Sequence, residues 1–408
     1  MESVLFKEFT LNNGTKIKNR FFKGAMSEAQ ANKHHQPTEA IYHLYERWAA
    51  GGTGIVVTGN VMVDKKALGE SRNIVVEDES ILPFLEKWAE RGTINDTHLW
   101  MQLNHPGKQA PKGIVKEAVA PSAIPLHESI RKFFPHPREI TSSEITDLIR
   151  RFGNSAKLAK KAGFTGVQIH GAHGYLISQF LSPRHNQRND EWGGNIDGRM
   201  KFLIEIYREV RNQTGSFPIS VKMNSADFMK AGFTEEEAMY VAKQLEKEGV
   251  DLLEISGGSY ENPQMTGRNV KESTKVREAY FLDFAEKLRK TVHMSLCVTG
   301  GFRSKEGMEN AIQSNATDFI GIARPLAVYP DFPNLIAQNS LQEVKLSEKK
   351  IGLRSIDNKM PFDVMWYSQQ MEMLGKGKKI KPNRPVWISL LHAAFKRGKE
   401  AIQRKSAK

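Results

Sequence analysis

Apolar residues along this chain come in short, nearly unbroken runs, separated by longer stretches in which they recur every three or four positions. The unbroken runs read as strands buried on both faces, the pattern of a parallel sheet. There are eight: RFFKGAM (20–26), GIVVTGNVMV (54–63), HLWMQLNH (98–105), GVQIHGA (166–172), ISVKMNSA (219–226), DLLEISGG (251–258), SLCVTGG (295–301) and DFIGIAR (318–324). The stretches between them have helical periodicity: TEAIYHLYERWAAGG, TSSEITDLIRRFGNSAKLAKKAG, RMKFLIEIYREVRNQTG, TEEEAMYVAKQLEKEG and AYFLDFAEKLRKTV. Thr141 with Glu144, and Thr234 with Glu237, have the spacing of a capping box, and glycines close several of the helices. Ahead of the first strand, Asn13-Gly14 between two alternating runs predicts a two-residue hairpin. Eight strands alternating with helices imply an α/β fold whose parallel sheet closes on itself, a (β/α)8 barrel. The rival is an open, doubly wound sheet with a glycine-rich turn after its first strand. GGTG at 51–54 precedes a strand instead of following one, so no dinucleotide fingerprint is present.

Composition adds boundaries more than detail. The chain has 408 residues, 39% hydrophobic and 26% charged, enough for a large core. No window holds 18 apolar residues, so no membrane span is expected, and the first 25 residues lack the apolar stretch of a cleaved signal. A single cysteine, Cys297, excludes an intramolecular disulfide and any all-cysteine iron–sulfur site, and fits a reducing cytoplasm. The net charge is +13, but residues 345–408 carry sixteen Lys or Arg against five Asp or Glu, which accounts for +11 of it. The chain therefore divides into a barrel over 1–344 and a basic, partly helical extension over 345–408, with basic runs at 375–384 and 396–400. The extension lacks aromatic platforms between its basic residues, so nucleic acid is not an expected partner. Its apolar faces suit packing on the barrel or on a second copy of the chain, as in a homo-oligomer.

In a barrel of this kind the chemistry sits at the C-terminal ends of the strands. Those ends offer Ala25, Met26 and Ser27; Gly59; Gln102; His170, His173 and Tyr175; Lys222; Gly300 and Gly301; Ala323 and Arg324. The last two strands end in TGGFRS and GIARPL, where glycine N–H groups and a guanidinium suit a phosphate. His170, His173 and Tyr175 lie in VQIHGAHGYLISQFLSP, and three readings compete for them: metal ligation, core packing, or proton and oxyanion handling. Metal ligation lacks carboxylates at neighbouring strand ends, apart from Glu254 and Asp227. Packing does not explain two histidines set among glycines. Two classes outside this reading remain, a metal-dependent barrel hydrolase or lyase and a non-catalytic basic binding protein.

The run GYLISQFLSPRHNQRNDEWGGNIDGRMKFLIEIYREVR (174–211) resembles the signature of the Old Yellow Enzyme family of FMN-dependent ene-reductases. The resemblance extends through LNNGTKIKNRFFKGAMS, QLNHPGKQ, TGGF and GIARPLAVYPD, about residues 5–335. It implies a TIM barrel holding noncovalent FMN at its mouth, with NADH or NADPH as reductant. Ala25, Met26, Ser27 and Gly59 would line the flavin, Gln102 would bond its pyrimidine edge, and Lys222 would stand beside N1. Gly300, Gly301, Ala323 and Arg324 would hold the phosphate. His170 and His173 would bind the activating oxygen of a small α,β-unsaturated substrate, and Tyr175 would protonate it. Several residues depart from the family pattern: alanine for proline at Ala25, serine for threonine or cysteine at Ser27, lysine for arginine at Lys222, and glycine for asparagine at Gly198. The single cysteine and the length point to the short, single-flavin form and away from relatives with a cysteine cluster and a second dinucleotide domain.

Overall fold

The computed structural model describes residues 3–264, 278–352 and 362–392, so the second basic run of the extension, 396–400, lies outside the described residues. Eight parallel strands form the barrel: β1 Phe21–Lys23, β2 Ile55–Val57, β3 His98–Asn104, β4 Gly166–Gly171, β5 Ile219–Asn224, β6 Leu252–Ser256, β7 Ser295–Thr299 and β8 Phe319–Ile322. Each pairs with the next, and β8 returns to β1 with Ile320 opposite Phe21. Helices alternate with the strands on the outside: α1 Glu39–Ala50, α2 Leu82–Gly92, α3 Ser142–Lys161, α4 Ile196–Thr214, α5 Glu235–Glu248, α6 Leu282–Arg289 and α7 Lys305–Gln313. After β8 come the short helices α8 Arg324–Val328 and α9 Phe332–Ala337, then α10 Phe362–Gly375. The fold is a TIM barrel, and an open doubly wound sheet is ruled out by the closing β8–β1 pair.

Both expected capping boxes form. Thr141 caps α3 and Thr234 caps α5, each with reciprocal bonds to the glutamate three residues on. Two expectations change in detail. The N-terminal hairpin pairs Phe9 with Ile17, but Leu11 N–H donates to the Thr15 carbonyl, so the loop is the three residues Asn12, Asn13 and Gly14. Gly14, at φ +85°, takes the left-handed position that such a loop requires. The run at 54–63 breaks into β2 and a short segment, Val61–Met62, because Gly59 gives its N–H to the Tyr45 hydroxyl (2.8 Å) instead of to the sheet.

The hairpin plugs the lower end of the barrel. Leu11 and Ile17 pack there with Phe22, Ile55, Val57, Trp100, Leu252, Cys297 and Phe319, a dry floor beneath the strand ends. A larger apolar layer lies between the strands and the surrounding helices, where Tyr45 sits edge-on to both Trp48 and Trp88 at 5.0 Å. The helix α10 packs against α1 and α8. A side chain on Gly375 would place its Cβ 2.3 Å from the Ala40 carbonyl oxygen, so the two helices touch backbone to backbone. Trp366 of α10 also donates to the Arg384 carbonyl (2.9 Å), which ties the following segment back onto the helix.

Candidate active site

Inside the barrel, above the apolar floor, polar side chains from four strands are joined in a row. Gln102 Nε2 donates to Gln168 Oε1 (2.7 Å), Gln168 Nε2 donates to Glu254 Oε2 (2.8 Å), and Lys222 Nζ lies 2.9 Å from Glu254 Oε1. All four are buried, and strand register sets the order, with Gln102 opposite Gln168 and Lys222 opposite both His170 and Glu254. Lys222 is therefore half of a buried ion pair. Sequence reasoning considered Glu254 only as a metal ligand and missed Gln168. Among the described residues no three His, Cys, Asp or Glu side chains gather as a metal site.

One layer higher, β4 ends in a tight exit. His173 and Gly174 both have positive φ, +63° and +75°, and a Cβ on Gly174 would lie 2.8 Å from Gln109 Oε1. A left-handed histidine is strained, and such strain persists where surrounding contacts impose it. Here Asn224 Oδ1 accepts from His173 N (3.1 Å), Gln109 Nε2 donates to the His173 carbonyl (3.1 Å), and Ser256 Oγ lies 2.8 Å from His173 Nε2. The turn brings three rings together. His170 and His173 meet edge-on at 5.1 Å, and His170 and Tyr175 at 4.9 Å. His170 Nδ1 accepts the Ala172 N–H (3.3 Å), so the proton of the neutral ring is on Nε2. Burial, reinforced by the Lys222 charge, holds both histidines well below their ordinary pKa, so both are neutral donors near pH 7. Burial holds Tyr175 well above its ordinary value, with the Tyr260 hydroxyl 2.8 Å away adding to the effect.

The loop after β1 carries Ala25, Met26 and Ser27. Ala25 caps the apolar floor, and Ser27 Oγ donates to Glu70. Gly59 faces this loop so closely that a Cβ would lie 2.7 Å from the Met26 carbonyl oxygen. Behind them is a buried network that sequence reasoning missed. Tyr45 OH donates to Glu28 Oε1 (2.6 Å), and the fully buried Lys23 lies 3.7 Å from the same oxygen. Lys23 sits 4.2 Å from the Trp48 ring centre, and burial pushes it down to about 8. Its one signal in sequence is a lysine inside the apolar run RFFKGAM.

At the far side, Gly300 and Gly301 have φ of +122° and +101°, and a Cβ on Gly301 would lie 2.7 Å from the Ala279 nitrogen. Arg324 follows Ala323 at the end of β8, where α8 begins. Arg303 is a second cation there, read past in TGGFRS. Burial and then the Arg324 charge lower its pKa, and Tyr280 and Tyr367 also act on it. Two adjacent guanidinium groups beside a pair of glycine turns form a cradle for a dianion. The donor set fits FMN: this cradle suits the phosphate, and Gln102 with the Lys222–Glu254 pair suits a polar ring edge.

Comparison with known proteins agrees with this geometry. The family model described as the NADH:flavin oxidoreductase / NADH oxidase family matches residues 4–343. The NADH-dependent flavin oxidoreductase iliE of Hypocrea jecorina is 38% identical over 365 residues, covering 83% of this chain and 90% of that protein. The NADH oxidase of Thermoanaerobacter brockii is 32% identical, over 84% of this chain and 52% of its own. Among solved structures, an old yellow enzyme homologue from Zymomonas mobilis superposes with a TM-score of 0.72 at 22% identity, covering 85% of this chain and 95% of that one. A 2-naphthoyl-CoA reductase gives 0.79 at 24% identity over 90% of this chain, which spans 58% of that structure. At such identities the structural likeness speaks for the fold, while the family match and the close relatives speak for the activity. This chain belongs to the NADH:flavin oxidoreductase / NADH oxidase family and is an oxidoreductase that uses FMN with NADH or NADPH as reductant.

Proposed function

We propose that this enzyme reduces activated C=C bonds in small molecules: enones, enals, nitroalkenes, and quinones as alternative acceptors. The observation that carries the reading is the cluster of His170, His173 and Tyr175, two neutral imidazoles and a protonated phenol, with the His170 ring 5.1 Å from His173 and 4.9 Å from Tyr175. Ala25, Met26, Ser27, Gly59, Gln102 and Lys222 would hold the flavin ring, and Gly300, Gly301, Ala323, Arg303 and Arg324 its phosphate. FMN, when bound, would supply the hydride chemistry between NAD(P)H and the substrate's β-carbon. The chain's own residues do the rest. His170, through Nε2–H, and the His173 ring donate to the carbonyl or nitro oxygen and stabilise the negative charge that develops there. Tyr175 gives its phenolic proton to the α-carbon. His170 stands on β4 opposite Lys222, and the positive-φ pair His173 and Gly174 lies between it and Tyr175.

The barrel over 1–344 holds this site, and the extension after it braces α1 and α8 through α10. The partner is a small molecule, since the site is an enclosed cluster of buried side chains and the excess positive charge lies in the extension.

Stopped-flow absorbance of the two half-reactions tests the reading. The wild-type holoenzyme should be reduced by NADH or NADPH and reoxidised by cyclohexenone. In Tyr175→Phe, reoxidation by cyclohexenone should slow while substrate binding stays nearly intact. Reoxidation of that variant at the wild-type rate would remove Tyr175 from the mechanism.

A further inference from the structure

Tyr175 is only 8% exposed, so once it has given up a proton it has little direct contact with water. Its hydroxyl has one described partner, the Tyr260 hydroxyl at 2.8 Å, and the two rings stand 5.8 Å apart at 68°. Tyr260 itself is 43% exposed. The other titratable groups around Tyr175 cannot replace it. His170 is held neutral well below its ordinary value, and Glu70 serves as the acceptor for Ser27.

The loop that carries Tyr260 is fastened on both sides. Ser259 forms a bridge with His173, its N–H donates to the Asn262 carbonyl (3.0 Å), and its Oγ accepts from Glu261 N (3.2 Å). On the other side, Glu261 Oε1 accepts from His127 N (2.7 Å), and Glu261 Oε2 lies 3.4 Å from His185 Nε2. Lys108 Nζ lies 2.9 Å from the other nitrogen of His185 and completes this anchor. Asn262 Nδ2 donates to the Phe228 carbonyl (2.7 Å). The Ser259–His173 bridge therefore ties the loop that carries Tyr260 to the turn that precedes Tyr175.

Resting on the role given to Tyr175 above, we propose that Tyr260 is a positioning and relay residue that returns a proton to Tyr175 in each turnover. In the reduction, the Tyr175 O–H bond breaks, a C–H bond forms at the α-carbon, and a phenolate remains. The Tyr260 O–H bond then breaks toward that phenolate, and water replaces the proton that Tyr260 has lost. The hydride still comes from NAD(P)H, so no further reductant is needed.

The test compares FMN-loaded, full-length Tyr260→Phe, Tyr260→His and Tyr175→Phe enzymes. In Tyr260→Phe, FMN content and reduction by NADH should match wild type, and hydride transfer to cyclohexenone in the first turnover should stay within about twofold. Steady-state turnover should fall on the order of tenfold. A transient ultraviolet tyrosinate band, absent from wild type, should build up as Tyr175 waits for its proton. Tyr260→His, which restores a titratable donor, should recover turnover and abolish the band. Wild-type turnover by Tyr260→Phe without the band overturns the relay, and if Tyr175→Phe is slow in the same assay the parent reading survives. Tyr175→Phe turning over at the wild-type rate overturns both. Loss of FMN from Tyr260→Phe that Tyr260→His does not rescue also overturns the relay, because it shows a structural role.

Discussion

Burial settles the chemistry of His170 and His173 before any ligand arrives. A protonated imidazole would bring a full charge beside Lys222, and the site holds both rings neutral, as hydrogen-bond donors. Replacing one such donor costs on the order of 10²–10³ in rate. His170→Ala with His173→Ala should therefore cripple reoxidation by cyclohexenone while FMN stays bound, as stopped-flow absorbance would show. A double variant with the wild-type rate would make the histidines structural. Lys222 carries a different prediction, because it is paired. Lys222→Met strands the Glu254 carboxylate inside the barrel, and breaking a buried pair in this way costs about 3–5 kcal/mol. Lys222→Met with Glu254→Gln should melt higher than Lys222→Met alone, and a melt showing no recovery would mean the pair is not formed. The histidines and Tyr175 were legible in the sequence because they are local: three residues at one strand exit, at a spacing that strand and turn make obvious. Tyr260 and Glu254 were not, since Tyr260 lies 85 residues from Tyr175 and Glu254 meets Lys222 only through the pairing of β5 with β6. Sequence supplies no register between such distant positions.

Among the elements, α10 links the extension to the candidate site. It stacks on α1, and Ser368 Oγ donates to the Ser27 carbonyl (2.7 Å), while Tyr367 lies within electrostatic reach of Arg324 and Arg303. The extension thus reaches both ends of the candidate cofactor site. Gly375→Ala would force a methyl against the Ala40 carbonyl, and overpacking of this kind costs about 1–3 kcal/mol. Faster hydrogen exchange across 362–375 should accompany faster FMN loss. Unchanged exchange and unchanged FMN retention would show that α10 does not brace the site. The periodicity of the extension marked it as partly helical and left two partners open, the barrel or a second chain; the described part packs on the barrel. Elements with local signals were read closely, as the capping boxes at Thr141 and Thr234 show. Breaks that depend on a distant partner, such as Gly59 turning to Tyr45, were not.

For the molecule as a whole, the buried histidines set how stability responds to acid. His105, His170, His173 and His185 are all held below their ordinary 6.5 by burial, His105 at about 4. The unfolded chain takes up these protons near 6.5 and the folded chain does not, so stability that is present above about 6.5 is lost as pH falls below it. Glu28 and Asp227, pushed up by burial, oppose this trend. Scanning calorimetry should show Tm dropping between roughly pH 7 and pH 5, where unperturbed histidines titrate. A flat profile would mean that these rings are not buried neutral. The barrel floor has a last consequence. Its one thiol, Cys297, is sealed beneath the polar layer, and burial raises it well above its ordinary value, helped by Glu254. Enones, enals and nitroalkenes are Michael acceptors that alkylate exposed thiolates. An enzyme with the substrates proposed above would keep its one thiol where they cannot reach, and maleimide should label this chain only as fast as the barrel itself comes apart.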